Sequence, residues 1–552
     1  GGKGRGLAFI NTLIYNLDFS ALSEKINIKT PITVIVGTDE FEIFMDRNHL
    51  YEKIFTEDIT FDEIKRHFME AHLSASLLKK LEVFVTQVRR PIAVRSSSIS
   101  EDSINQPFAG VFDTFIVTNN FDSKKQSVET LANAIKMVYA SVYSDNARTY
   151  FKAVQHKVEE ERMAVILQEL VGNRYGDYYY PHISGTAQSY NYYPFANMKP
   201  EEGFAVAAVG LGYYVVGGSK SYRFSPKYPN IDIYTTKDLM NSTQVSFYAV
   251  DMTKENVDYN KDGELASLAL LDISVAEKHG TIKHCASVYN PDNDRIEPGL
   301  DTYGPRIINF ANILKFDYIP FAQTIDLMLE TIKEAFGSPV EIEYAIDLNK
   351  TENNLPSFYL LQVKPLVNSN FSADIVIEKP DPERTILYTE SSLGNGEIKN
   401  IKDVIYIDVD NFNKLETLEM VKEIEMLNQI MIKENRKYIL IGPGRWGTRD
   451  QYLGLPVVWS QISFARIIVE ISLENFPLDS SLGSHFFHNV TSMNIGYLSV
   501  LDSSPVDFIK WKVLDKQKIV HRTKYFKHIQ FKNALTILMN GKKRISNILY
   551  RP

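Results

Sequence analysis

Residues Pro91–Phe115 read PIAVRSSSISEDSINQPFAGVFDTF. A short β-branched run leads into Arg95 and three serines; Glu101 and Asp102 follow, and Phe108, Ala109 and Gly110 come before the segment closes on Phe115. That order suits a buried strand that feeds a polar loop. A guanidinium carries a rigid fork of donors able to hold two phosphate oxygens, and serine hydroxyls with nearby backbone N–H groups can complete an anion cradle. Two readings fit these residues taken alone: such a cradle, with Arg95 and Ser96 at its centre, or Arg95 paired with Glu101 or Asp102 beside an ordinary Ser-rich turn.

Around this stretch lies a chain of 552 residues, 44% hydrophobic and 23% charged, the profile of a soluble globular protein with room for about three or four domains. The net charge of −8 argues against a general nucleic-acid binder, which needs a basic face to neutralise phosphates. Lysines and arginines outnumber acids from Lys510 onward, but they are spread through strand-like sequence and read first as a solvated face. The single cysteine, Cys285, excludes an internal disulfide and a cysteine metal cluster, which fits a reducing, cytoplasmic setting. The adjacent His284 could suggest nucleophilic chemistry, yet without a third orienting group the pair reads as structural. No apolar run long enough to span a membrane occurs. The chain starts at GGKGRG rather than at methionine, so the expectation is a piece of a longer protein with further domains before Gly1.

In chain order, Gly1–Leu7 reads GGKGRGL and leads into Ala8, Phe9, Ile10 and Leu13, the spacing of a helix start. Glycines allow close backbone approach to a phosphate and Lys3 adds a mobile charge; a flexible terminus reads the same way. Thr30–Phe41 is strand-like. Residues 60–88 and the stripe Leu131, Ile135, Val138 and Val142 have helical spacing and serve as scaffold. MAVILQELV, residues 163–171, is a compact strand ending in Gln168 and Glu169. In AVAAVGLGYYVVGG, residues 205–218, Gly210 and Gly212 interrupt an apolar run and imply a bend or a close backbone approach. Residues 226–310 are acidic, rich in Asn and Lys, and insertion-like, with no chemistry of their own. In PVEIEYAIDLNKTENNLPSFYLLQVKP, residues 339–365, alternation puts Glu341 and Glu343 on one strand face. Two inward carboxylates repel unless a cation lies between them, and Mg2+ is a natural one; a solvent-facing acidic edge is the alternative.

Four of these segments together resemble the nucleotide-binding domain of the pyruvate phosphate dikinase and phosphoenolpyruvate synthase family. AVRSSSISED and PFAGVFDTF match its AVRSSATAED and SFAGQxDTF, and GGKGRGL matches GGKxxxL. GLGYYVVGG matches GLGExVVxG, with Tyr213 in place of the family glutamate. EIEYAID and LQVKP match DIEWAxD and LQARP, with Lys364 in place of an arginine. The resemblance implies an α/β (α+β) ATP-grasp domain of two lobes over residues 1–368. It implies ATP and Mg2+ as cofactors, Lys3 and Arg95 on the phosphates, and Ser96, Gly210 and Gly212 near the nucleotide. Gln168, Glu169 and Val171 would line the adenine, and Glu343 and Gln362 stand where the family holds its metal.

After a linker at 369–385, too few residues remain for both a swivelling phosphohistidine domain and a pyruvate-binding barrel, so residues 386–552 are expected to form a smaller α/β module. VIYIDV at 404–409 and YILIG at 438–442 are strand candidates with a helix between them, and Asn540-Gly541 suggests a hairpin. Arg445 and Arg449 can clamp an anion or form structural ion pairs. SLGSHFFH, residues 481–488, is similar to the family's histidine loop; His485 is the candidate phosphoryl carrier, and His485 and His488 as ordinary polar residues are the alternative. The expected function is phosphoryl transfer from Mg-ATP to a histidine or a small-molecule acceptor not identified by the sequence. Its rival is an ATP-sensing regulator or scaffold without turnover, which Tyr213 and Lys364 favour.

Overall fold

A computed structural model describes the chain apart from residues 1, 17–18, 20–21, 23, 56–58, 100, 102–109, 121–122, 154–155, 193, 195–197, 255–256, 367–374, 474–475, 477, 479–483, 494, 503 and 552. The fold is mixed α/β and divides after Leu366 into two compact units. Asp102, Phe108, Ala109, Gly483 and the first part of the expected linker lie outside the described residues.

The first unit is built on two sheets that carry the motifs. One has four strands in the order Thr33–Val36, Met163–Glu169, Ile92–Ser98 and Thr114–Val117, all antiparallel. Ile92–Ser98 is buried along nearly its whole length, as its β-branched start and following serines require when both faces are covered. The other has six strands: Asn27–Lys29, Leu355–Pro365, Val340–Glu352, Ile183–Gln188, Phe204–Ala208 and Tyr222–Phe224. Its centre is the long hairpin of Val340–Glu352 and Leu355–Pro365, whose register sets Glu343 opposite Gln362 and Glu341 opposite Lys364. Asn353 and Asn354 make the turn with φ of 51° and 57°, a left-handed conformation that asparagine tolerates better than most residues.

Helices complete the scaffold. The N-terminal helix spans Gly2–Asn16, so it takes in the glycine-rich segment instead of starting after it at Ala8, and it buries Leu7 and Ile10. The 60–88 stretch forms two helices, Phe61–Glu70 and Ala75–Gln87, because each has its own start signal: a Thr60/Glu63 capping box and a Ser74 hydroxyl that accepts from the Leu77 amide. Lys124–Ser141 buries Leu131, Ile135 and Val138 as the stripe predicts. The Thr30–Phe41 stretch yields only a four-residue strand; from Thr38 it is helix, where Asp39 and Glu40 favour a helix N-terminus. The insertion-like region supplies Phe247, Ala249, Ile282, Cys285 and Ile307 to the same core as Ile342, Tyr344 and Phe358.

The second unit has a ten-stranded sheet. Asn395–Ile407, Tyr438–Pro443, Ala465–Ile471 and Gly496–Val500 run parallel side by side, with the helix Thr417–Lys433 in the first crossover. On the other side of Asn395–Ile407 the sheet is antiparallel, through Phe526–Asn540, Ile545–Leu549, Thr385–Thr389 and Phe508–Ile509, with Lys518–Arg522 also paired to Phe526–Asn540. The hairpin at Asn540 is present. Among the described residues no helix is long and apolar enough to cross a membrane.

Candidate functional site

Two charged clusters inside the first unit gather the motif residues. The first joins the start of the N-terminal helix to the Arg95 strand. Lys3 Nζ lies 2.6 Å from Glu101 Oε1 and donates to Ser96 Oγ at 3.3 Å, while the Gly4 amide donates to Ser97 Oγ at 3.0 Å. Glu101 is fully buried and Lys3 is 8% exposed. The carboxylate also accepts from Ser96 Oγ at 2.9 Å and from the Ser98 amide at 2.8 Å, so the buried anion is compensated by one ammonium and two hydrogen bonds. Gly4 is closely packed here: a Cβ on it would stand 3.2 Å from Ile35 Cδ1 and 3.4 Å from Ser97 Oγ.

The second cluster joins the two sheets. Arg95 uses Nη1 to reach Gln168 Oε1 at 3.1 Å and Nη2 to reach Glu343 Oε2 at 3.0 Å, and Nη2 also donates to Gln362 Oε1. Arg95 therefore pairs with Glu343, not with Glu101, which Lys3 takes. Gln168 donates to Thr33 Oγ1 at 3.3 Å and to the Leu361 carbonyl at 3.2 Å. Glu343 also meets Lys364 Nζ at 2.5 Å, and Lys364 lies 3.5 Å from Glu341. The cation that two inward carboxylates require is thus supplied within the hairpin by Lys364. Glu341 further accepts from Gln188 Nε2 at 2.5 Å. Its burial pushes the Glu341 carboxyl above the usual range, against the opposing pull of Lys364 and Gln188.

The remaining candidates fall around these clusters in different ways. Glu169 is half-buried and pairs with Arg90 at 3.4 Å; Val171 is buried. Gly210 has φ +85°, and a Cβ there would sit 2.7 Å from the Phe247 ring and 2.8 Å from the Tyr248 carbonyl, so this glycine is fixed by packing as well as by backbone conformation. Gly212 has room for a side chain, its nearest contact being Ser184 Cβ at 3.8 Å. Tyr213 OH lies 3.5 Å from Glu264 Oε2, and Glu264 Oε1 accepts from the Thr114 amide at 2.7 Å. Cys285 is fully buried and its thiol is pushed up by burial, while His284 stacks on Tyr318 with ring centroids 3.7 Å apart. In the second unit, half-buried His485 is the first residue of the helix His485–Ser492, and Ser484 Oγ accepts from the Phe487 amide at 3.2 Å.

Sequence reasoning missed Gln188 and Thr33 as members of the network. Their places follow from strand register, Glu341 opposite Gln188 and Thr33 opposite Gln168, which no local signal encodes. Among the described residues no three His, Cys, Asp or Glu side chains gather as a metal cage. Glu343 and Gln362 nonetheless offer a carboxylate and a carboxamide oxygen on facing strand positions, a donor set suited to a hard divalent cation that keeps other oxygen ligands.

Comparison with known proteins agrees with the motifs. The family model described as pyruvate phosphate dikinase, AMP/ATP-binding domain, matches residues 1–384. The uncharacterized phosphotransferase YvkC of Bacillus subtilis is 29% identical over 198 residues, 35% of this chain and 21% of the relative. A phosphoenolpyruvate synthase of Deinococcus radiodurans is 27% identical over 214 residues, 35% of this chain and 24% of the relative. The phosphoenolpyruvate synthase of Aeropyrum pernix is 24% identical over 314 residues, 56% of this chain and 32% of the relative. The chain thus spans no more than a third of the length of these relatives.

Proposed function

The chain belongs to the family of the pyruvate phosphate dikinase AMP/ATP-binding domain, and from that premise we propose that its first unit, of ATP-grasp type, binds Mg-ATP for phosphoryl transfer. The observation that carries this reading is the convergence of Arg95, Gln168, Glu343, Gln362 and Lys364 from distant segments into one partly buried network. Arg95 and Lys3 are the cations for the phosphates, and Glu343 with Gln362 would hold magnesium, which supplies charge neutralisation to the transferring group. Lys3 pairs with Glu101 and Arg95 with Glu343; phosphate oxygens compete for the same donors, so nucleotide binding is coupled to a rearrangement of the two ion pairs. The acceptor is a histidine, with His485 as the candidate, or a small molecule.

A second reading is a regulator that binds ATP without turnover. Tyr213, placed where the family has glutamate and hydrogen bonded to Glu264, favours it. The test is incubation of the chain with β- and γ-labelled ATP and magnesium beside Glu343→Ala and His485→Ala. Acid-labile label on the wild type, absent from both variants, supports the transferase with a histidine carrier. Binding without label or nucleotide products on any protein removes self-phosphorylation, and addition of small-molecule acceptors then decides between transferase and regulator.

A further inference from the structure

The second unit carries a charged cleft of its own. Between Lys510 and Pro552 the sequence has twelve lysines and arginines against a single acid, Asp515, in a chain whose net charge is −8. Part of that charge is cancelled by the fold. Arg522 and Lys527 each lie 3.1 Å from Asp408, Lys527 also lies 3.2 Å from Asp515, and Lys524 pairs with Glu416 at 2.7 Å. Three other lysines converge instead. Lys402, Lys518 and Lys532 line a cavity of about 360 Å³ together with Gln517, Gln530 and Phe531, and none of the three has a carboxylate partner among the described residues.

Strand register explains the convergence. Lys518 stands opposite Gln530, and Gln530 opposite Asp403, so one row of side chains crosses three neighbouring strands on one face. The ladder is irregular between Ile401, which pairs with Leu535, and Asp403, which pairs with Gln530. That irregularity falls at Lys402 on one strand and at residues 531–534, Phe531 and Lys532 among them, on the other, where a regular ladder would send alternate residues to opposite faces. Asp403 does not neutralise the lysines. It is buried and already accepts from Arg436 at 2.9 Å, His528 at 2.9 Å and Gln530 at 3.4 Å.

Three unmatched ammonium groups around one small cavity raise the potential in it, and an anion bound there relieves their mutual repulsion. We propose that this cleft binds a phosphorylated small molecule, with Lys402, Lys518 and Lys532 on the phosphate oxygens and the carboxamides of Gln517 and Gln530 on the remaining polar atoms. The volume lies within the range of small-ligand sites. Phe531, the ring among the lining residues, is 4% exposed and offers no platform for a base, which argues for a sugar or acid phosphate rather than a nucleotide or a nucleic acid. The inference stands apart from the nucleotide reading of the first unit.

The test is lysine acetylation of the whole chain, read by mass spectrometry, with inorganic pyrophosphate as the probe at constant ionic strength. Pyrophosphate is expected to slow acetylation of Lys402, Lys518 and Lys532 about tenfold, the ratio of bound to free site that a probe at ten times its dissociation constant gives. Lys399 and Lys422, exposed lysines of the same unit that pair with Glu397 and Glu419, are expected to react as before. Lys518→Gln is expected to remove the protection of Lys402 and Lys532. Slowing spread evenly over all exposed lysines, no slowing at millimolar pyrophosphate, or protection by a DNA oligonucleotide but not by pyrophosphate would overturn the proposal.

Discussion

Arg95 Nη2 lies 3.0 Å from Glu343 Oε2 although the two residues are 248 positions apart. This pair ties the four-stranded sheet to the six-stranded one, and both partners are only 12–15% exposed. A lysine cannot reproduce the fork that serves Gln168, Glu343 and Gln362 at once. Arg95→Lys is therefore expected to cost roughly 1–3 kcal/mol of stability, less than a fully buried pair because water reaches this one. Urea denaturation measures it.

Lys3 and Glu101 form a tighter case. Removing the ammonium leaves the fully buried Glu101 carboxylate with only its hydroxyl and amide donors. Lys3→Met is expected to destabilise by about 3 kcal/mol, and the double variant Lys3→Met/Glu101→Gln by less, because no unpaired charge then stays buried. Equal losses in the single and double variants would contradict the account.

Glu341 gives a pH signature. Burial raises its folded-state pKa above the usual 4.5, so between 4.5 and the raised value the folded chain binds the extra proton. Its contribution to stability is present in full below 4.5 and is lost as pH rises through the folded value. The melting temperature of Glu341→Gln minus that of wild type is accordingly expected to increase with pH above 4.5. A difference flat from pH 4 to 8 would contradict it.

Gly210 and Gly337 separate two causes of glycine requirement. Both have positive φ, +85° and +67°, but a Cβ on Gly337 meets nothing within 4 Å whereas one on Gly210 runs into Phe247 and Tyr248. Gly337→Ala is expected to cost about 1 kcal/mol, the conformational part alone. Gly210→Ala adds overpacking and is expected to cost roughly 2–4 kcal/mol. Thermal melts of the two variants make the comparison.

Much of this arrangement was legible in the residues. The strand feeding Arg95 and the hairpin carrying Glu343 and Gln362 are local patterns of periodicity and turn chemistry, and they appear where those patterns put them, whereas the helix expected from Ala8 already begins at Gly2. The need for a cation between Glu341 and Glu343 was also legible, because like charges on one strand face repel; that Lys364 supplies it follows from the hairpin register. Who pairs with whom over long separations was not. Glu101 sits six residues from Arg95 and reads as its partner, yet a strand running straight carries the two apart and the helix terminus brings Lys3 to Glu101 instead. Gln188 and Thr33 enter by strand register alone. The lysine cleft of the second unit likewise arises from a bulge, which leaves no mark in the spacing of Lys402, Lys518 and Lys532.

The central claim is that the Arg95–Glu343–Gln362 network is a Mg-ATP site. Calorimetric titration of ATP into wild type, Arg95→Lys and Glu343→Gln, each with and without magnesium, tests it most directly. The account predicts magnesium-dependent binding to wild type, at least about tenfold weaker binding to Arg95→Lys, and loss of the magnesium dependence in Glu343→Gln. Equal ATP affinity in all three proteins, or none in folded wild type, would contradict it.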